Sequence, residues 1–234
     1  MAIITISRQF GSGGDAVAIR VCEVLGYNSF GKEQIIEAAK ETTLGKYNAI
    51  DYTEDNHETK SFLDRLFGRS ASAVQKIAWA ENPTIAERPE HIDAHDTAVL
   101  SLTKRAILAS VKAGNYVIVG RAGQIILRDT PGVLHVRIES PVEMRIQRIK
   151  QQLKDKTDAS QSDAKLLQAA TEIIADRDMA SADYVKRYFN TDWGDALLYH
   201  LVLNRGRLSI EQAAQIIIAA VRAMEQVPAA TTTA

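Results

Sequence analysis

Residues 2–14 read AIITISRQFGSGG. Residues 2–7 are β-branched and almost continuously apolar, the pattern of a strand buried on both faces in a parallel sheet. Gly11, Ser12, Gly13 and Gly14 follow as a turn of small residues. Residues 16–25 then carry Val17, Val21, Val24 and Leu25 at helical spacing, with Gly26 as a stop. A glycine turn between a buried strand and a helix aims several backbone N–H groups at one point, and the helix start adds partial positive charge. Such a turn suits phosphate, yet the stretch does not match the phosphate-loop pattern GxxxxGK[ST]. Aligned on the strand and helix, Arg8 stands at the first glycine, Gly13 at the second, Gly14 at the lysine and Asp15 at the hydroxyl. Two readings follow: a phosphate cradle, or a tight turn whose glycines serve only close packing. Arg8 at the lip favours the cradle, because guanidinium is a preferred phosphate ligand. Asp15 weighs against it, since a carboxylate repels phosphate unless a metal intervenes.

Working outward, residues 27–30 read as a short strand and 32–40 as a helix. Residues 41–96 are polar and read as an insertion of helix and loop, with Phe62, Leu63, Leu66 and Phe67 on one face. A helix is expected over 97–113, ended by Gly114. Tyr116–Val119 (YVIV) is a strand closed by Gly120-Arg121-Ala122-Gly123, and 133–138 is another. Pro141 opens a helix to about residue 153. A polar stretch, two helical pieces over 163–187, a strand over 198–203 and a helix over Ile210–Gln226 capped by Ser209 complete the domain. Residues 227–234 read as a disordered tail. Alternating strands and helices define an α/β protein with a parallel sheet and right-handed crossovers. Ligands in such sheets bind at the carboxyl ends of the strands. Residues 7–14, residues 120–123, and Arg145 and Arg148 on the helix after 133–138 all fall there.

The 234 residues carry 28 Lys+Arg and 29 Asp+Glu, a net charge of −1. That excludes a broad nucleic-acid-coating surface. With 46% hydrophobic and 24% charged residues, it also excludes a disordered chain. The total conceals one basic block: residues 101–150 hold nine basic and three acidic side chains, among them Arg121, Arg145 and Arg148. A focused cationic pocket for a small phosphorylated ligand fits this better than a basic face. The single cysteine, Cys22, forms no internal disulfide and suits a reducing compartment. No apolar run is long enough to span a bilayer, and the N-terminus lacks signal-peptide features. A cytoplasmic protein with neither membrane nor nucleic-acid partner is expected; the sequence does not set the oligomeric state. His91 and His95 are spaced i, i+4 but have no third ligand at metal spacing, so zinc is not expected. His135, inside a strand pattern, reads as a satisfied core or edge histidine and not as a base.

Four segments together resemble the cytidylate kinase-like family, relatives of the P-loop nucleoside monophosphate kinases. They are ITISRQFGSGG, VIVGRAGQIIL, SPVEMRIQRI and YVKRYFNTDWGDALLYHLVLNRGRLSIEQAA. They run in order from about residue 3 to 220, patchily over 41–96. The resemblance implies a P-loop NTPase-type three-layer fold with a five-stranded parallel sheet. It implies one domain over 1–226: a core (1–40, 97–140, 198–226), a nucleoside-monophosphate-binding insertion (41–96) and a lid region (141–197). The implied reaction moves the γ-phosphoryl of ATP, with Mg²⁺, to a nucleoside monophosphate, CMP or dCMP first. The family's ISR-x-x-GSGG loop replaces the lysine loop. Its GRD motif, whose arginine grips the acceptor phosphate, is matched by Gly120-Arg121, with Ala122 in place of the aspartate. Arg145 and Arg148 match the start of the lid helix; Asp178 and Tyr184 fall on the later lid segment, where Ser181 stands near a usual arginine.

The expected site therefore has Arg8, Gly11, Ser12, Gly13, Gly14 and Asp15 around the donor phosphates, with Arg8, Arg145 and Arg148 as catalytic cations. Lys32, Gly120 and Arg121 lie toward the acceptor, and Arg177, Lys186 and Arg187 are further cations. Asp15 and the Ser12 hydroxyl are the candidate Mg²⁺ ligands. Arg145 and Arg148, three apart, share one helix face and could descend together. Two rivals remain: a nucleotide-binding protein without turnover, and a kinase for a non-nucleotide acceptor chosen by the 41–96 insertion.

Overall fold

The strand of residues 3–8 lies at the centre of the sheet because both its faces are apolar. In the computed structural model, which describes residues 2–31, 34, 94–156 and 162–226, it is β1 (Ile3–Arg8). Helix α1 (Gly14–Leu25), β2 (Asn28–Phe30), α2 (Ala94–Ala113), β3 (Tyr116–Val119), the short α3 (Gly123–Ile126) and β4 (Val133–Glu139) follow. Then come α4 (Val142–Lys156), α5 (Asp163–Phe189), a 3₁₀ turn (Ala196–Leu198), β5 (Leu201–Asn204) and α6 (Ile210–Gln226). The five strands run parallel in the order β2-β3-β1-β4-β5, with Ile6 beside Val119 and Val136. This is the three-layer α/β fold expected of a P-loop kinase.

Ile4, Ile6, Val136 and Ile138 point to one face, where Val17 and Val21 of α1 and Ala213, Ala214, Ile217 and Val221 of α6 cover them. Ile3, Ile118 and Val133 share a core with Ala106 and Ile107 of α2 and with Leu127. Burying each such large aliphatic side chain contributes roughly 1.5–3 kcal/mol. Outside the sheet, α4 and α5 pack on each other through Ile149, Ala170 and Ile174, with Phe10 against them. Helix α6 opens on a reciprocal cap. Ser209 Oγ accepts from Gln212 N at 3.1 Å, and Gln212 Oε1 accepts from Ser209 N at 2.9 Å.

Two expectations are corrected. Residues 163–189 form one unbroken helix of 27 residues, not two pieces. Ser162 caps its start, and Ser181, in mid-helix, spends its hydroxyl on Arg177 O at 3.0 Å instead of breaking the turn. The last strand begins three residues late, because Asp195 accepts from Leu197 N at 2.9 Å and closes the 3₁₀ turn first. The helix expected over 32–40 lies outside the described residues apart from Gln34. So do nearly all of the 41–96 insertion and the 227–234 tail.

His135 is 4% exposed in β4, as a core histidine should be. Its Nδ1 lies 2.7 Å from Thr5 Oγ1, its ring stacks on His200, and its Nε2 has no partner among the described residues. Burial first, then the neighbouring His200, pulls its pKa down from 6.5 to about 4. The unfolded chain thus takes up this proton below about pH 6.5, and the folded chain only near pH 4. Stability from this group is complete above pH 6.5 and falls as the pH drops toward 4, by at most about 3 kcal/mol. Urea unfolding at pH 7 and pH 4.5 checks this: His135→Gln should lose that part of the acid sensitivity.

Candidate active site

Planar peptides set the character of the glycine turn. A carbonyl and the following N–H point in opposite directions across each trans peptide. Arg145 Nη1 donates to Phe10 O at 3.2 Å, and Arg148 Nη1 donates to Gly11 O and Ser12 O at 3.1 and 3.2 Å. With these three carbonyls drawn toward α4, the N–H groups of Gly11, Ser12 and Gly13 turn the other way. Ser12 N is spent on Gln9 O at 3.2 Å. Gly11 and Gly13 adopt left-handed φ values of 75° and 84°, which glycine alone takes without penalty. The first helical return bond is Val17 N to Gly13 O, so the amides of Asp15 and Ala16 precede the ladder and remain for an anion.

Arg145 and Arg148 do lie on one face of α4, but that face is turned under the loop. Arg145 is 7% exposed and paired with Asp178 at 2.5 Å, and the same carboxylate accepts from Phe10 N at 2.8 Å. Arg148 also donates to Ser140 Oγ and to Arg205 O. Both arginines hold the cradle's shape from behind. Arg177 lies over the Phe10 ring on the same side, its Cζ 5.8 Å from the centroid, while Lys186 and Arg187 fall in the last turn of α5.

Arg8 occupies the front. Its stem lies against Gly14, where an added Cβ would meet Arg8 Cβ at 2.6 Å. Its Nε donates to Asp15 Oδ1 at 2.9 Å, and its Nη1 reaches to 3.0 Å from where a Cβ on Gly120 would stand. One guanidinium thus spans from the glycine turn to the turn after β3. Gly14→Ala keeps an allowed backbone yet must push Arg8 aside. Such overpacking costs about 1–3 kcal/mol. The expected result is a folded protein that is less stable by about that amount; circular dichroism and denaturant unfolding check both halves.

The turn after β3 is strained. Gly120, Arg121 and Ala122 run consecutively at φ 71°, 58° and 53°, a left-handed stretch that non-glycine residues adopt at a cost. This aims Arg121 back across the strand ends: its Nη1 donates to Gly31 O at 3.1 Å and its guanidinium lies over Phe30. Ala122 is buried and offers a ligand no polar atom. Tyr184 of α5 lies within the electrostatic reach of Arg121; burial pushes its hydroxyl pKa up, and that hydroxyl has no partner among the described residues. Lys32 lies outside the described residues.

The Ser12 hydroxyl is turned into the loop. It is fully buried and accepts from Gly14 N at 3.3 Å, bracing the turn from within. The Asp15 carboxylate is exposed and keeps one oxygen clear of Arg8. No group of three metal-ligating side chains gathers among the described residues. No helix among them is long and apolar enough to cross a membrane.

Two features were not anticipated. Arg137, 3% exposed in β4, pairs with Glu139 at 2.6 Å, donates to Trp193 O at 2.7 Å and lies over the Trp193 and Tyr199 rings. Trp193 and Tyr199 themselves are read from the sequence as packing back onto the sheet, and they do: Trp193 Nε1 and Tyr199 Oη both donate to Ser7 Oγ. The second is Arg205, directly after β5, whose Nε and Nη2 lie 3.6 Å from where a Cβ on Gly13 would stand. The strand-end rule that singled out Arg121 would also have found Arg205, had the last strand been ended at Asn204.

A glycine cradle at the end of β1, an arginine spanning to a strained turn at the end of β3, and a parallel sheet of this strand order define a P-loop kinase-like protein. The sequence profile of the cytidylate kinase-like family matches residues 3–207, and the chain belongs to that family. No curated protein sequence matches it. Among solved structures, an uncharacterized protein from Eubacterium ventriosum ATCC 27560 aligns with a TM-score of 0.59 and 21% identity, over 95% of this chain and 99% of that one. Shikimate kinase from Acinetobacter baumannii, in complex with shikimate, aligns at a TM-score of 0.44 and 11% identity, over 97% and 96%. Shikimate kinase from Bacteroides thetaiotaomicron aligns at 0.46 and 11%, over 94% and 98%.

Proposed function

We propose that this chain is a phosphotransferase that moves the γ-phosphoryl of ATP to the phosphate of a nucleoside monophosphate, CMP or dCMP first. The observation that carries this is Arg8, whose single guanidinium spans the glycine turn and the Gly120 turn. Phosphoryl transfer requires in-line positioning and cations around the moving group more than covalent chemistry. In this reading the amides of Gly13, Asp15 and Ala16 hold the donor's terminal phosphates. Arg121 holds the acceptor phosphate, and Arg8 lies between them. An acceptor phosphate oxygen forms the new bond to the γ-phosphorus as the bond to the β-bridging oxygen breaks. ADP leaves with that electron pair. Mg²⁺, when bound, neutralises charge on the donor phosphates, and the exposed Asp15 carboxylate is the protein group placed to hold it. The compact pairing of Arg8 with Asp15 fits this, since the carboxylate that repels bare phosphate becomes a ligand once the metal is present.

Steady-state assays with ATP against CMP, dCMP, UMP and AMP test the reading; no turnover with any of them by folded, ATP-binding protein would remove it. Ala122 favours a second reading, a non-nucleotide acceptor, because it replaces the aspartate that would fix an acceptor nucleoside. CMP turnover at ordinary efficiency would exclude that alternative.

A further inference from the structure

We infer that Arg205 is a donor-side phosphate clamp, gripping the terminal phosphates of a nucleoside triphosphate from the flank of the cradle opposite Arg8. This rests on the phosphotransferase reading and names a further residue of that site.

Charge pairing sets Arg148 and Arg205 apart from Arg8, Arg137 and Arg145. Arg8, Arg137 and Arg145 each have a carboxylate, from Asp15, Glu139 and Asp178. Among the described residues, Arg148 and Arg205 have none: their partners are neutral oxygens. Arg148 donates to the carbonyls of Gly11, Ser12 and Arg205 and to the Ser140 hydroxyl. Arg205 Nη1 donates to Leu208 O, and its Nε is buried without a partner among the described residues. The two guanidinium groups are close enough that burial and then Arg148 pull the Arg205 pKa down. Two neighbouring cations with no counter-charge, beside a turn that offers free amides, lack only an anion.

The position fixes which anion. Arg205 follows β5, whereas Arg8 reaches toward β3 and the acceptor turn. Strands β3 and β5 lie on opposite sides of β1 in the sheet, with Arg8 against Gly14 and Arg205 against Gly13. Arg205 therefore meets phosphates on the side away from the acceptor. A Cβ on Gly13 would stand 3.6 Å from Arg205 Nε and Nη2, so the fork lies over the bare Cα of Gly13, within reach of a phosphate oxygen held on the Gly13 amide. Arg148, tied to the Arg205 carbonyl, fixes the backbone from which the fork extends.

Calorimetry with inorganic tripolyphosphate, ATP and CMP on the full chain and its Arg205→Gln and Arg205→Lys variants tests the inference. Arg205→Gln should weaken tripolyphosphate and ATP about tenfold or more, as expected for loss of charge-assisted hydrogen bonds. Arg205→Lys should recover part of that loss, and CMP affinity should be unchanged in both. The unfolding temperature without added anion should not fall in Arg205→Gln, and the rise produced by tripolyphosphate should shrink. Unchanged tripolyphosphate affinity in Arg205→Gln overturns the inference. Equal weakening of CMP, or a lowered anion-free unfolding temperature, overturns it in favour of a structural role. A wild-type chain that binds neither tripolyphosphate nor ATP defeats the phosphotransferase reading itself, and the clamp with it.

Discussion

On the phosphotransferase reading, Arg8→Ala should lower kcat by about 10³-fold while the protein stays folded. The size follows from position: a cation placed on a transferring phosphoryl group acts where charge is redistributed, and removing such a group costs factors of this order. Stability is nearly untouched, because Arg8 is a third exposed and its partner Asp15 more so, and such a pair contributes under about 1 kcal/mol. Arg8→Lys keeps the charge but loses the fork that spans from Asp15 to Gly120, so it recovers only part of the rate. Paired measurements of kcat and unfolding temperature check the claim. An Arg8→Ala enzyme with wild-type kcat would move the catalytic role elsewhere.

Asp178→Ala has the largest expected effect on stability. Its carboxylate accepts from Arg145 at 2.5 Å and from Phe10 N at 2.8 Å, and Arg145 is almost wholly buried. Removing it leaves a guanidinium and a backbone amide without their acceptor. Breaking a buried pair from one side costs about 3 kcal/mol or more. The loop suffers too, since the same carboxylate fixes Phe10, the residue before the glycine turn. Denaturant unfolding should show the loss, and nucleotide affinity should fall in parallel although Asp178 faces away from the cradle. Asp178→Asn, which retains an acceptor, should recover part of both.

The apolar strands at β1, β3 and β4 are legible in the sequence because burial on both faces leaves continuous β-branched runs. The glycine cradle and the Gly120-Arg121 turn are legible because ligand chemistry in a parallel sheet gathers at strand ends. The course of α5 is not. Residues 163–187 read as two pieces, and only tertiary placement shows Ser181 bonding back to its own helix and Asp178 bonding to Phe10. Arg145 and Arg148 are likewise readable as a pair on one face. Which way that face turns depends on Ile149 packing against Ala170 and Ile174, contacts that no local spacing encodes. Arg205 was missed through the placement of a strand end.

The unbroken α5 makes the α4–α5 pair a lever. At 1.5 Å per residue, 27 residues form a rod of about 40 Å. Asp178 grips the loop partway along it, while Ile149, Ala170 and Ile174 lock the arm on one side of that fulcrum to α4. Arg145 and Arg148 then couple the second rod of the pair to the same three peptides. Tilting the rods therefore pulls directly on the carbonyls of residues 10–12 and re-aims the amides opposite them. An anion held on those amides would therefore be coupled to the angle of the α4–α5 pair, and a shift of either would be felt at the other.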